Sequence, residues 1–402
     1  MARPAGSARL LRGMNEAAAL AYLFERGPLT RTDLRDLTGL SKPTASEVLR
    51  RLEDAGLAIV VGHSSGGPGP NAAMYAANSG AGYIAALSIR DVGETGDVGQ
   101  PSVSAIIADL AGEVRATVES FVAFADADPV DIVADIVTEL CKKARIDREL
   151  LLQVQLGVPG SPDPRTGDIR YVDVPGLDRP GLVNEIRARL ETEVMVDNDV
   201  NLAAIAERSH GVAADVDAFT VLWLAGGSGF AIDQGGILMR GAHGCAGELG
   251  YMPVSAAGTE ARDFQDLVGG GPVLDLGERY GFTGGTPQEV VRAAVEALDE
   301  ERAQEFLKEL ADRVAIGLMA VITLIDPPLI VLAGDVSQAG GTALRDEVTA
   351  ALAARSPLGT QLEVTGVPGD AVLLGALSSA TAVLQDRLLA SLTPATPTAA
   401  TV

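Results

Sequence analysis

The sequence is poor in cysteine: its 402 residues include two, Cys141 and Cys245. Two thiols cannot build a disulfide framework or a four-cysteine zinc site, so a cytoplasmic setting is expected. Long apolar runs are also missing. No stretch of about 18 or more apolar residues occurs, so no membrane span is expected. Residues 17–24 have the apolar character of a signal-peptide core. Asn15 and Glu16 precede them, Glu25 and Arg26 follow, and no small-residue cleavage pattern is present. An amphipathic first helix is expected there instead. Basic charge is scarce: 31 Lys and Arg stand against 54 Asp and Glu, a formal charge of −23. Duplex DNA repels a polyanion, which would exclude nucleic-acid binding if that charge were evenly spread.

The charge is not evenly spread. Residues 1–62 carry nine Lys and Arg and seven Asp and Glu, a net +2, and the remainder carries −25. A mildly basic head on an acidic body directs attention to nucleic acid at one end. At roughly 100–200 residues per domain, the chain holds two or three domains. With 47% hydrophobic residues, it can fill their cores.

The head reads as a winged helix-turn-helix. Ala17, Leu20, Ala21 and Phe24 share one helix face, which Gly27-Pro28 ends. Thr30 caps a second helix with Asp33 in the capping-box place, Gly39 makes a tight turn, and Ser41 caps a third helix with Pro43 in its first turn. Ala45, Val48, Leu49 and Leu52 face inward. Lys42, Thr44, Ser46, Glu47 and Arg50 face outward, the geometry that lays a recognition helix in a major groove. Residues 57–61 and 74–76 read as two strands of a wing whose tip, Gly66-Gly67-Pro68-Gly69-Pro70, lacks the arginine that often enters a minor groove. Arg9 and Arg12 offer backbone contacts instead. The DNA-contact set is therefore Arg12, Ser41, Lys42, Thr44, Ser46 and Arg50.

After about residue 78 the texture becomes α/β. Strands are expected at 83–89, 103–109, 151–158, 194–196, 219–224 and 329–332. Helices are expected at 130–144, 182–190, 201–211, 314–325 and 371–389. The alternation predicts parallel-rich sheets covered by helices. Trp223 lies inside a strand and is expected to pack in the core. Residues 393–402 form a Pro/Thr/Ala-rich tail, expected to be disordered.

Three motifs fall at strand or turn ends: Gly157-Val158-Pro159-Gly160, Asp197-Asn198-Asp199-Val200-Asn201 with Glu207, and Arg240-Gly241-Ala242-His243-Gly244-Cys245-Ala246-Gly247-Glu248-Leu249-Gly250. Through them the sequence resembles the ROK family of repressors, open reading frames and sugar kinases, over about residues 8–390. The resemblance implies an actin-like, ribonuclease-H-like, two-lobed sugar-kinase fold with substrate in the cleft. Its expected divisions are 1–78 for the winged head, 79–196 for a smaller lobe and 197–392 for a larger one, whose C-terminal helix returns to the first. It puts Asp199 at the catalytic-base position, and Asn198 and Glu248 where sugar hydroxyls are bound. Gly160 and Tyr251 fall beside them, and aligning on Gly271-Pro272 adds Asp266. Asp199 also stands where a helix N-cap is common, so both readings stay open.

The phosphate-binding features are degraded. The family's first loop is Asp-x-Gly-(Gly/Ala)-Thr; here Ser88 replaces the Asp and Arg90 the first glycine. The following insert carries Asp91, Glu94 and Asp97, which repel a triphosphate. The second loop is Ala225-Gly226-Gly227 in place of Gly-Thr-Gly, and the adenosine-side loop is Ala333-Gly334-Asp335. The zinc-binding His and Cys run is absent as well: Tyr251 follows Gly250, and residues 254–267 contain neither residue type. No metal and no cofactor are expected, and His243 is expected to be a packed, hydrogen-bonded histidine. The resulting expectation is a sugar-sensing transcriptional regulator, a repressor by the family's habit, with an inactive kinase body. Its expected partners are an operator DNA duplex, a sugar or sugar derivative, and further copies of itself as a homodimer or homotetramer. An active sugar kinase and a regulator controlled by a protein partner are the alternatives.

Overall fold

The computed structural model describes residues 6–64, 72–90, 102–172, 174–254 and 262–393. The expected wing tip, the acidic insert and the tail from residue 394 lie outside these residues.

The head consists of α1 (Gly6–Arg26), β1 (Leu29–Thr30), α2 (Arg31–Thr38), α3 (Lys42–Asp54), β2 (Ala58–His63) and β3 (Ala73–Ala77). Thr30 and Asp33 form a reciprocal capping box. Gly39 follows α2 with φ +69°, a conformation in which a side chain would be strained. Ser41 then caps α3 by accepting a hydrogen bond from the Thr44 N–H. Leu20, Leu34, Leu49, Leu52 and Tyr75 close a small core. The wing strands pair antiparallel, and β1 adds a third strand outside β3 that the hydropathy pattern did not reveal.

The body repeats one topology twice. The first sheet holds β4 (Tyr83–Arg90), β5 (Ser102–Asp109), β6 (Val114–Phe121), β7 (Leu151–Val158) and, after a short hairpin of β8 (Ser161–Pro162) and β9 (Ile169–Arg170), β10 (Glu193–Asn198). The second holds β11 (Ala218–Leu224), β12 (Ser228–Gln234), β13 (Ile237–Leu238), β14 (Leu329–Ala333) and β15 (Gln361–Val364). The orders are β10-β7-β4-β5-β6 and β15-β14-β11-β12-β13. In both, three strands form an antiparallel meander and two more join in parallel.

Helices cover both sheets: α4 (Pro129–Ala144) and α5 (Leu182–Leu190) on the first; α7 (Gln265–Val268), α8 (Gly270–Arg279), α9 (Pro287–Glu296), α10 (Glu301–Ile325) and α11 (Asp335–Arg355) around the second. The helix expected at 314–325 begins 13 residues earlier, at Glu301, because Ala303, Phe306, Leu307 and Leu310 already bury one face. Between the sheets run α6 (Asp199–His210) and α12 (Ala371–Leu392), which pack on each other through Leu202 and Val372. Among the described residues, α12 is the helix long and apolar enough to cross a membrane on composition alone. Here that composition serves packing: α12 lies against α6, β4 and β7, and its last turns reach the head. Leu389 and Leu392 join the head core, while Phe24 of α1 meets Leu384 and Leu388.

Candidate ligand cleft and DNA-reading helix

Strands β7 and β10 of the first sheet and β11 and β14 of the second all point their C-terminal ends at one cavity of about 690 Å³. Crevices at such strand ends are where open α/β folds bind ligands. Gly160, Asn198, Asp199, Glu248 and Tyr251 line it together.

Asn198 terminates β10 and caps α6. Its Oδ1 accepts from the N–H groups of Val200 (2.9 Å) and Asn201 (3.1 Å), and its Nδ2 donates to the Gly160 carbonyl at 3.1 Å. The capping role falls to Asn198, then, and Asp199 is the first helical residue. Asp199 sits partly open to the cavity. Its burial, reinforced by the Glu248 carboxylate, pushes its pKa up to about 7, against the pull of the Val200 N–H. It is poised between hydrogen-bond acceptor and donor near neutral pH.

The Arg240–Gly250 loop is tied to both sheets. Arg240 forms an ion pair with Asp197, whose Oδ1 also accepts from the Asn198 N–H at 3.0 Å. Glu248 accepts a hydrogen bond from Ser161, on the hairpin after β7. Gly247 has φ +100°, and a Cβ there would meet the Phe230 carbonyl oxygen at 2.0 Å. Only glycine lets this loop lie so close to β12. Tyr251 is 59% exposed, and its ring stands 5.8 Å from that of Tyr171, tilted by 59°.

Two site expectations need correction. Asp266 is exposed and outside the cavity lining; its carboxylate accepts from the Asp263 N–H, and the Asp263 carboxylate accepts from the Asp266 N–H, each at 3.1 Å. Gln265 faces inward instead, accepting from the N–H and hydroxyl of Ser228. One residue along a helix turns the side chain by about 100°, which is enough to exchange their places. His243 is exposed on the loop rather than packed. Trp223 packs among partly buried residues of three apolar clusters but also lines the cavity. Tyr171, Ser161, Gln265 and Phe121 escaped the sequence reading, because no local spacing marks them and the fold alone brings them to the site.

At the other end, Ser88 and Arg90 end β4, and Arg90 forms a 3.0 Å ion pair with Asp370, the N-cap of α12. Ala225, Gly226, Gly227 and Asp335 complete this end.

On the head, Ser41, Lys42 and Arg50 are exposed along α3, and Thr44 and Ser46 are half-buried. Arg12 is exposed on α1. The Ser41 hydroxyl is engaged with Thr44, at 2.8 Å between hydroxyls. Arg50 bonds to Glu47 at 2.8 Å and to Asp54 on its own helix. Hydrogen bonds from Arg50 and then Arg51 hold Glu47 down at about 2. Arg50 is therefore already charge-matched, whereas Lys42 heads the helix.

Fold and cleft together define a winged-helix head on a sugar-kinase-like, two-lobed body. The ROK family model matches residues 96–270 and 282–382, and the MarR family model matches residues 12–67. The chain belongs to the ROK family. The xylose repressor of Bacillus subtilis strain 168 is 24% identical over 250 residues, 61% of this chain and 62% of that protein. The N-acetylglucosamine repressor of Escherichia coli O157:H7 is 21% identical over 352 residues, 83% of each chain. A crystal structure of a ROK family transcriptional regulator, a homolog of the E. coli MLC protein, has the same fold. It superposes with a TM-score of 0.72 at 19% identity, covering 95% of this chain and 99% of that one. Sugar kinases are among the similar structures.

Proposed function

We propose that the protein is a DNA-binding transcriptional repressor whose cleft senses a sugar or sugar derivative without phosphorylating it. One observation carries this reading. The hydroxyl-binding end of the cleft keeps Asn198, Asp199 and Glu248, while the glycine position of the first phosphate loop is filled by Arg90, ion-paired with Asp370. Carboxylates and an amide suit hydroxyls, each of which wants both a donor and an acceptor. A triphosphate needs backbone amides and free cations instead. The relatives named for xylose and N-acetylglucosamine support a sugar as the signal.

The packing supplies a route from cleft to DNA. Asn198 and Asp199 begin α6, α6 packs along α12, and α12 ends in the head core. His210 of α6 contacts Ser378 of α12 at 3.1 Å, and buried Glu207 holds Thr365 ahead of α12. A ligand that prefers one placement of α6 biases the placement of the head. A homodimer would set two such heads on half-sites about one helical turn apart. Lys42 and Arg12 would then contact phosphates, and Thr44, Ser46 and Arg50 the groove.

A kinase is the second reading, favoured by the pKa of Asp199, which suits a general base. Both readings are tested by incubating the protein with Mg-ATP and a hexose and pentose panel, and following ADP release beside operator binding. The repressor reading expects no ADP and a sugar-dependent change in operator affinity. Sugar-dependent ADP release abolished by Asp199→Asn would establish the kinase.

A further inference from the structure

The cavity does not stop at the hydroxyl-binding end. It runs on past Ser228 to Thr286, Gln288 and Asp335, the last of these in the loop that the family resemblance puts on the adenosine side. Arg90 is the one cation among its described lining residues, and Asp370 already neutralises it. The remaining walls there are neutral hydrogen-bonding groups and a carboxylate, a surface that repels phosphate and suits hydroxyls.

The aromatic residues point the same way. The chain has 15 of them, eight Phe, six Tyr and one Trp, and five line this cavity: Phe121, Tyr171, Trp223, Phe230 and Tyr251. Three of the five are largely exposed, at 67% for Phe121 and 59% for each tyrosine. Exposed rings on a ligand cavity are platforms for the apolar faces of a bound molecule. They stand at opposite ends. Tyr171 and Tyr251 flank the Glu248 end. Phe121 pairs in register with Ser102, which pairs with Arg90, so it lies at the former phosphate end. Tyr171 also holds φ +54°, strain that a non-glycine residue keeps where surrounding structure or function requires it.

We propose that the cleft binds an oligosaccharide of two or more units. One unit lies on Asn198, Asp199 and Glu248, and the next lies in the former nucleotide half against Phe121. A volume of about 690 Å³ falls within the range of pockets that enclose drug-sized ligands. This rests on the sugar-sensing reading and deepens it.

The test is titration calorimetry on the full chain with three series: xylose, xylobiose and xylotriose; glucose, cellobiose and cellotriose; N-acetylglucosamine and its β-1,4 dimer and trimer. In the series that binds, the dimer or trimer is expected to bind at least about tenfold more tightly than the monomer. Phe121→Ala should remove that gain. Gly227→Phe should do the same by filling the far half, because a Cβ at Gly227 meets nothing within 4 Å. Equal affinity for monomer and oligomers would overturn the inference while leaving sugar sensing intact. A gain that survives both substitutions would overturn the placement. Binding by none of the nine sugars would overturn the sugar-sensing reading together with it.

Discussion

The two ends of one cleft have fared differently. At one end, Asn198, Asp199 and Glu248 are held by a mesh of contacts: the α6 cap, the Gly160 carbonyl, Ser161, and the Arg240–Asp197 pair. At the other, Ser88 has a buried hydroxyl with no partner among the described residues, and Arg90 faces Asp370 where amides would face phosphate. At the first end, the side chains proposed to meet the ligand are also structural. Asn198 cannot be lost without uncapping α6.

That contrast can be broken experimentally. The largest effect is expected from Gly247→Val. Its Cβ must displace the Phe230 carbonyl and its φ is left-handed, so a loss of about 3 kcal/mol or more in urea unfolding is expected, together with sugar binding. Wild-type stability would show that the loop does not lean on β12.

Next comes the pH dependence of Asp199. Its folded pKa, about 7, lies above the ordinary value of 3.8, so the folded state holds the proton more tightly. This contribution to stability is full below about pH 4 and is lost as pH rises through 7. Asp199→Asn should therefore be more stable than wild type at pH 8, by ~2 kcal/mol once the open cleft is allowed for, with the difference shrinking at pH 5. Parallel urea curves at both pH values decide this, and an identical difference at each would contradict the raised pKa.

Asn198→Ala should cost about 1 kcal/mol through the lost cap and weaken sugar binding about tenfold or more. Arg90→Ala, at the other end, should leave monosaccharide affinity within about twofold. The smallest effects belong to the head. Lys42→Ala should reduce the slope of log K against log salt by about one, and Arg50→Ala by less, since Arg50 is already paired with Glu47 and Asp54. Equal slopes for both variants would mean that those pairs open on DNA.

Much of this was legible in the sequence. The caps at Thr30 and Ser41, the Gly39 turn and the inward stripe of α3 are local signals, and each element formed near its expected place. The strand-end motifs located Asn198, Asp199 and Glu248. What escaped was set at long range. Asp266 was placed one residue from the inward-facing Gln265, because alignment through Gly271-Pro272 carries no information on helix phase. Tyr171 and Phe121 follow no motif, and only the pairing of strands brings them to the cleft. The second sheet's α8, α9 and α11 were not anticipated, although Thr286 caps α9 with Pro287 in its first turn, a signal that could have located that helix.

Control of the head by a sugar in the cleft is the proposed function. It is tested most directly by operator affinity, measured by fluorescence anisotropy with and without a sugar that raises the melting temperature. The expected result is a shift in Kd of at least about tenfold for the wild-type chain and none for Glu248→Gln, with Mg-ATP without effect on either. An operator Kd that stays constant while the sugar saturates the cleft would contradict the account.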